Sequence, residues 1–281
     1  MIGVFDSGYG GLTVLRALLR SLPDRSFLYF GDHALAPYGN RSAEDIYDLT
    51  TAAVERLFGL GCRLVVVACN TAAATSLRRL QQQWLPDRHP ERRVLGVLVP
   101  VVEAITGVSW MAAAPLRRNG GGERTVAVFA TRQTVLSNAY PVEIGKRAPE
   151  VRVVQQACPA LVDLIEAGGT DHSIRAAVEG YVAELMRRLP GGRPDAAVLG
   201  CTHYPLIAEL FVEALPPGVD VLSQPDLVAR SLAAYLSRHP DLDSCDKVPQ
   251  AHFLTSGDPA QVSRRSTAFL GRHVRFRGAS G

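Results

Sequence analysis

The stretch AAVLGCTHYPLIAE, residues 196–209, places an apolar run, a glycine, a cysteine and a proline directly ahead of a helix-like segment. Nearer the N-terminus, VVVACNTAAATS, residues 65–76, repeats the same order of apolar run, small residue, cysteine and helical segment. A run that is apolar throughout is typical of a strand that is covered on both faces, as in a parallel sheet. Each stretch therefore predicts a buried strand that ends at a cysteine and leads into a helix.

The same alternation continues along most of the chain. Further strand candidates are residues 2–6, 26–32, 93–99, 125–131, 151–157 and 218–223. Segments of helical period lie between them, at residues 12–22, 42–61, 71–84, 135–148, 160–168, 173–189 and 205–215. Buried strands that alternate with amphipathic helices predict an α/β fold of doubly wound parallel sheets, in which ligands bind beyond the carboxyl ends of the strands.

Length and charge narrow the class of protein. The chain has 281 residues, which favours two domains of about 100 to 150 residues. Its apolar stretches are far shorter than the ~20 residues that cross a bilayer, so we expect no membrane partner. The net charge is +3, and the densest basic segment, residues 264–277, lacks a nucleic-acid-binding motif. We therefore expect no nucleic-acid partner.

The cysteines indicate a reducing compartment. The opening residues MIGVFDSGYGG lack the pattern of a signal peptide, so we expect a cytoplasmic protein. The five cysteines, at positions 62, 69, 158, 201 and 245, are odd in number, and a chain of this length does not need disulfides to fold. We predict reduced thiols, with structural roles for Cys62, Cys158 and Cys245.

Two loops at strand ends could meet an anion. In DSGYGG, residues 6–11, the glycines permit a tight turn with N–H groups at a helix N-terminus, although the spacing fits neither a dinucleotide fingerprint nor a P-loop. In the second loop, Pro37, Tyr38 and Gly39 could present backbone amides to a carboxylate, with the tyrosine ring as a wall. Both segments could also be ordinary turns.

Cys69 and Cys201 stand at the predicted helix starts. A helix N-terminus favours a thiolate and lowers a cysteine pKa from about 8.5, so we expect each thiol to act as a base near neutral pH. The alternative is that both are small buried apolar residues. A zinc site or a redox disulfide would favour a C-x-x-C pair, and a cysteine hydrolase would use only one thiol. One thiolate and one thiol on opposite sides of a small molecule could invert a carbon centre without metal or cofactor.

Several motifs carry a resemblance to a known family. GVFDSGYGG (3–11), APYG (36–39), ACNTAA (68–73), ATRQTVLSNAY (130–140) and especially GCTHYP (200–205) resemble the motifs of glutamate racemases, within the aspartate/glutamate racemase family. The likeness continues to FLTSGDP, residues 253–259. It implies cofactor-independent interconversion of L- and D-glutamate, which supplies D-glutamate for peptidoglycan. Because ACNTA is shared more widely, a relative that acts on aspartate, a hydantoin or a malonate is the alternative.

The resemblance also implies residue roles. Cys69 would act on D-glutamate and Cys201 on L-glutamate as the two acid/base catalysts, and Asp6 and His203 would assist them. The substrate-holding positions would be Asp6, Ser7, Pro37, Tyr38, Gly39, Asn70, Thr71, Thr131, Thr134, Thr202 and His203.

The implied architecture is two flavodoxin-like domains that face each other across the active site. One would comprise residues 1–97 plus 218–281, and the other residues 98–217. We expect a homodimer. Some glutamate racemases also bind DNA gyrase, a role that no sequence feature here supports.

Four features depart from the family pattern. Gln133 stands where the family usually has glycine, and SQPD (223–226) stands where many relatives have a DSG-like run. Tyr9 is bulkier than the common small aliphatic residue, and the predicted surface excursion at residues 110–124 is longer than usual. We expect these departures to affect loop shape, domain closure and regulation rather than the reaction.

Overall fold

The structure, a computed structural model, describes residues 1–111, 124–189, 191–243 and 248–279. Its strands are β1 Ile2–Asp6, β2 Phe27–Gly31, β3 Leu64–Val67, β4 Arg93–Gly96, β5 Arg124–Ala130, β6 Val151–Ala157, β7 Ala196–Gly200, β8 Asp220–Leu222, β9 Ala251–Thr255 and β10 Arg277–Gly278. They form one sheet in the order β10-β9-β2-β1-β3-β4 and a second in the order β6-β5-β7-β8. All the pairings are parallel, which confirms the predicted α/β class.

Helices connect these strands. They are α1 Gly11–Ser21, α2 Ala43–Gly59, α3 Asn70–Arg79, α4 Leu85–Arg88, α5 Leu98–Thr106, α6 Arg132–Leu136, α7 Ala139–Gly145, α8 Leu161–Glu166, α9 Asp171–Met186, α10 Ala208–Ala214, α11 Gln224–Arg238 and α12 Pro259–Leu270. Short 3-10 helices occupy Tyr38–Asn40 and Tyr204–Ile207, and a π-helical turn at Leu80–Trp84 joins α3 to α4. Within the described ranges no helix has both the length and the apolar character needed to span a bilayer.

The strands are apolar throughout because both faces of each sheet are covered. On β5, Val126 and Val128 pack into the large core built around the first sheet. The alternate residues Ala127 and Phe129 pack into a second core with α9 and α10. One face of the second sheet therefore contacts the first domain, which brings the two sets of strand ends together.

Several elements differ from the predictions. The helix predicted for residues 205–215 is a 3-10 helix followed by α10, and the helix predicted for 135–148 is replaced by α6 and α7, which Asn138 separates with φ of 56°. The strand predicted for 93–99 ends at Gly96, and α5 begins two residues later. Strands β9 and β10 and helices α4, α5, α11 and α12 were not predicted; β9 has a mixed burial pattern instead of a continuous apolar run.

The pairing of β8 indicates where the second domain ends. Asp220 and Leu222 pair with Ala196 and Val198 of β7, so β8 lies in the second sheet. Helix α11 then packs against α1 and α5. We propose that the second domain extends to residue 222, a few residues beyond the predicted limit at 217. Cys245 and residues 112–123 of the predicted excursion lie outside the described residues.

Candidate active site

A pocket lies between the carboxyl ends of the two sheets. Most of the predicted site residues line it, namely Ser7, Pro37, Tyr38, Gly39, Cys69, Asn70, Thr71, Thr131, Cys201, Thr202 and His203. Asp6 and Thr134 lie behind this lining and bond to residues in it. Five further residues that were not predicted also line the pocket: Asn40, Arg132, Pro159, Val162 and Asp163.

Cys69 is the N-cap residue of α3, as predicted. Its Sγ accepts a hydrogen bond from the Ala72 N–H at 3.5 Å and lies 3.4 Å from Ser7 Oγ. The expectation of a lowered pKa is wrong for this thiol. Burial and the nearby Asp6 carboxylate raise its pKa to about 12, and they outweigh the bonds from Ser7 and Ala72. Desolvation disfavours the thiolate more than one helix terminus favours it.

Cys201 has different surroundings. It directly follows β7, but the next helical element is a 3-10 helix that begins at Tyr204, so the predicted α-helix N-terminus at this cysteine is wrong. Pro205 occupies the start of this short 3-10 helix, and the regular helix α10 begins only at Ala208. The partner of the Cys201 Sγ is instead the Nδ1 of His203, at 3.8 Å.

His203 bridges Cys201 to an acidic residue. Its Nε2 lies 2.7 Å from Oε1 of Glu166, at the end of α8. Burial alone lowers the pKa of the ring, but its interactions with Cys201 and Glu166 raise the pKa to about 10. The imidazole is therefore cationic at neutral pH and can donate from both nitrogens. No sequence motif marked Glu166, which lies 37 residues before His203 on another element.

Asp6 joins the two halves of the site. Its Oδ1 accepts from the Gly8 N–H at 2.8 Å, and its Oδ2 accepts from the Thr202 hydroxyl at 3.4 Å. Burial raises the pKa of this carboxyl, and the charge of His203 opposes that rise. The Gly8 N–H of the glycine turn therefore donates its hydrogen bond to a side chain of the protein itself.

Close packing explains two glycines of the turn. A Cβ on Gly10 would lie 2.2 Å from Thr202 Oγ1 and 2.5 Å from His203 Nδ1. A Cβ on Gly11 would lie 2.4 Å from the Cβ of Asp6. Gly10 therefore allows the first domain to approach the Cys201 loop, and Gly11 allows α1 to begin directly against Asp6.

Pro37, Tyr38 and Gly39 lie together in the lining of the pocket. Tyr38 is buried and its ring lines the pocket, while its hydroxyl donates to Asp32 Oδ2 at 2.6 Å. Burial and Asp32 raise the pKa of the Tyr38 phenol far above its usual value, so it remains neutral. A Cβ on Gly39 would lie 3.2 Å from the Cβ of Thr131, which shows how closely the two domains meet here.

A row of hydroxyls crosses the domain junction. Thr71 Oγ1 lies 2.9 Å from Thr131 Oγ1, which in turn lies 3.0 Å from Thr134 Oγ1. The departure at Gln133 adds a second link, because its side-chain amide donates to the carbonyl of Arg41 in the first domain. Within the described part of the chain, no three His, Cys, Asp or Glu residues are placed to hold a metal ion.

The pocket lies within a region of the chain that matches a known family. The model of the Asp/Glu/Hydantoin racemase family matches residues 2–232. The chain belongs to this family. This match confirms the resemblance that the motifs indicated, and it places both cysteines of the pocket inside the matched region of the racemase.

Full-length relatives are similar to the racemase. This chain is 50% identical over 276 residues to the glutamate racemase of Dinoroseobacter shibae, and the match covers 98% of this chain and 97% of that protein. The crystal structure of glutamate racemase from Francisella tularensis in complex with D-glutamate matches with a TM-score of 0.83 at 27% identity, over 98% of this chain and 95% of that one. The Escherichia coli glutamate racemase in complex with L-glutamate and the activator UDP-MurNAc-ala matches with a TM-score of 0.72 at 28% identity, over 99% and 96%.

Proposed function

We propose that this racemase interconverts L- and D-glutamate without a cofactor, by a mechanism that uses two cysteines. The observation that carries the proposal is that Cys69 and Cys201, each at the end of a strand from a different sheet, line the same pocket. Two thiols that enter from two domains can address opposite faces of one α-carbon. The bound D- and L-glutamate of the two related crystal structures support glutamate as the substrate.

The protonation states suggest a starting point for the cycle. Because its pKa is raised, Cys69 is a thiol at neutral pH and can deliver a proton. With L-glutamate, Cys201 removes the α-proton as the thiolate, and Cys69 then protonates the opposite face to give D-glutamate. The products are D-glutamate, a Cys201 thiol and a Cys69 thiolate. With D-glutamate bound, the same steps in reverse return the enzyme to the first form.

The surroundings of each thiol fit these roles. Cationic His203, held by Glu166, is a hydrogen-bond donor beside Cys201 and stabilises negative charge on that sulfur. At Cys69 the Asp6 carboxylate disfavours the thiolate. The α-ammonium group of a bound amino acid would offset this repulsion, so that Cys69 ionises readily only when substrate is present.

The pocket also has donors for the carbanion. The α-proton of an amino acid is a very weak acid, so developing charge must be stabilised through the α-carboxylate in a site with little water. Asn70, Thr71 and Thr202 are buried, line the pocket and carry amide or hydroxyl donors. We assign them to the α-carboxylate, and we assign the amides around Tyr38 and Gly39 to the side-chain carboxylate.

The cellular role follows from the proposed reaction. D-Glutamate is the product that peptidoglycan synthesis would consume, and a cytoplasmic homodimer remains our expectation for the enzyme. Sedimentation of the purified chain over a range of concentrations will give its oligomeric state directly.

Solvent deuterium tests the reaction. Pure protein incubated with L-glutamate in heavy water is expected to remove the α-proton signal from the NMR spectrum and to abolish the optical rotation. L-Aspartate serves as the competing substrate of the alternative family activity. Absence of exchange with either glutamate enantiomer overturns the proposed reaction, and faster exchange of aspartate overturns the assigned substrate.

Single cysteine variants test the mechanism. Cys69→Ser and Cys201→Ser are each expected to lower kcat by about a thousandfold or more, because a serine hydroxyl is a far weaker acid than a thiol. Cys62→Ala, a change at a buried thiol outside the pocket, is the control and should retain racemisation. Full activity in either serine variant contradicts the two-base mechanism.

A further inference from the structure

The departure at residues 223–226 places an amide in the interior of the protein. Gln224, the first residue of α11, is completely buried. Its Oε1 accepts from Asn70 Nδ2 at 2.6 Å, and its Nε2 donates to Asn70 Oδ1 at 2.6 Å and to the Tyr140 hydroxyl at 2.8 Å. The Tyr140 hydroxyl donates in turn to Asn70 Oδ1 at 3.1 Å. The three side chains form a closed, buried network.

The donors and acceptors of the network fix the orientation of Asn70. Its Oδ1 accepts two hydrogen bonds, which uses both lone pairs, and both hydrogens of Gln224 Nε2 are donated. If the Asn70 amide rotated by half a turn, its Nδ2 would face two donors, Gln224 Nε2 and the Tyr140 hydroxyl. Asn70 Nδ2 gives one hydrogen to Gln224 and keeps a second hydrogen. Since Asn70 lines the pocket, this second N–H is available to a substrate oxygen.

The network also joins the segments that hold the two cysteines. Asn70 directly follows Cys69, whereas Tyr140 lies on α7 of the second domain. The Tyr140 ring packs against the residue before Cys201, since a Cβ on Gly200 would lie 3.4 Å from Tyr140 Cε2. Gln224 is at the point where the chain returns from the second sheet to the first.

From this geometry we propose that Gln224 and Tyr140 are positioning residues for the racemase reaction. They hold the Asn70 amide with its remaining N–H toward the substrate, and they keep the Cys69 and Cys201 segments in a fixed relation. Neither side chain needs to touch the substrate for this effect, because both act through Asn70. The inference rests on the proposed function.

Gln224→Met tests it, because methionine keeps the length of the side chain and removes every hydrogen bond. Without the network the Asn70 amide can rotate, and we expect kcat/KM for racemisation to fall by about tenfold or more. Asp226→Asn, in the same first turn of α11 but exposed, is the matched control and should change the rate by less than about twofold. Unfolding midpoints of both variants show whether the fold is retained.

A double-mutant cycle separates positioning from general loss of structure. In an Asn70→Ala background, Gln224→Met is expected to lower kcat/KM by less than about twofold, since the Asn70 amide that Gln224 positions is absent. Heavy-water α-proton exchange measures even slow variants of this cycle. The inference is overturned if Gln224→Met lowers kcat/KM equally in the unaltered protein and in Asn70→Ala, or if Gln224→Met alone leaves kcat/KM unchanged.

Tyr140→Phe is the second variant, because it removes only one hydroxyl and leaves the ring against Gly200. We expect a loss of about threefold or more in kcat/KM that is also absent in the Asn70→Ala background. Racemisation by the unaltered protein is the reference for all these assays. If the unaltered protein fails to racemise glutamate, the proposed function fails; if only the variants behave otherwise than stated, the positioning role alone fails.

Discussion

The imidazole of His203 lies between two groups from different parts of the chain, with Nε2 at 2.7 Å from Glu166 Oε1 and Nδ1 at 3.8 Å from Cys201 Sγ. A buried histidine is ordinarily neutral because burial lowers its pKa. Here Cys201 and Glu166 outweigh burial and raise the pKa to about 10. The charge of His203 is therefore set by tertiary contacts rather than by the ring itself.

Replacing Glu166 tests this relationship. Glu166→Gln keeps the shape of the side chain but removes its charge, so the pKa of His203 should fall from its present value. The alkaline limb of the pH dependence of kcat/KM is then expected to move to lower pH by about one unit or more. Glu213→Gln, which changes a carboxylate that pairs with Arg175 on the surface, is the control. An alkaline limb that does not move would show that Glu166 does not set the charge of His203.

Gly10 is expected to tolerate no side chain. Gly10→Ala forces a Cβ to within 2.5 Å of His203 Nδ1, so the turn or the Cys201 loop must shift. A displacement of this kind at the reacting groups should lower kcat/KM by about a hundredfold. The matched control is Gly180→Ala in the middle of α9, where a Cβ meets nothing within 4 Å. That variant should retain its activity and gain about 0.5 to 1 kcal/mol in free energy of unfolding. Steady-state assays and denaturant titrations of both variants decide the matter.

His33 should make the protein sensitive to acid. The centroid of its ring lies 4.4 Å from that of Tyr9 and 5.8 Å from that of Phe276. Burial lowers its pKa from 6.5 to about 4, so the folded state holds the neutral ring. Stability from this group is complete above the unfolded pKa and is lost as the pH falls from about 6.5 toward 4, by at most about 3 kcal/mol.

His33→Phe keeps a ring at this position but cannot titrate. Denaturant titrations of both proteins at several pH values should show a steeper acid loss in the unaltered protein. The free-energy difference between them should shift in favour of the variant as the pH falls. Parallel curves for the two proteins would contradict the assignment.

Tyr38 is expected to serve the pocket through its ring. Because its hydroxyl is bonded to buried Asp32, Tyr38→Phe leaves that carboxylate short of a donor and should cost about 1 to 3 kcal/mol of stability. Its kcat/KM should change by less than about threefold, because the ring surface stays in place. Ser256→Ala removes the other side-chain donor to Asp32 and is the comparison. A much larger loss of activity for Tyr38→Phe than for Ser256→Ala would assign the hydroxyl to the reaction.

Local pattern was enough for eight of the ten described strands and for the positions of the two cysteines. The strands that carry Asp6, Cys69 and Cys201 are continuous apolar runs, because parallel strands are covered on both faces. Their loops must gather at one edge of each sheet, so most of the site could be found from strand ends alone. The two C-terminal strands were missed because β9 has a mixed burial pattern and β10 has only two residues, and α11 and α12, with 15 and 12 residues, were also not predicted.

Contacts between distant segments decided the rest. Glu166 and Gln224 are ordinary polar residues of helices in the sequence, and only the packing of the two domains sets them against His203 and Asn70. The pKa of Cys69 followed the same rule: its helix N-terminus was predictable, but burial beside Asp6 reversed the expected direction. The sequence by itself determined where each sulfur lies along the chain and on which strand end. The tertiary structure alone decided the charge and hydrogen-bond partners around each sulfur, because desolvation and electrostatic interactions depend on distances in space and not on separation in sequence.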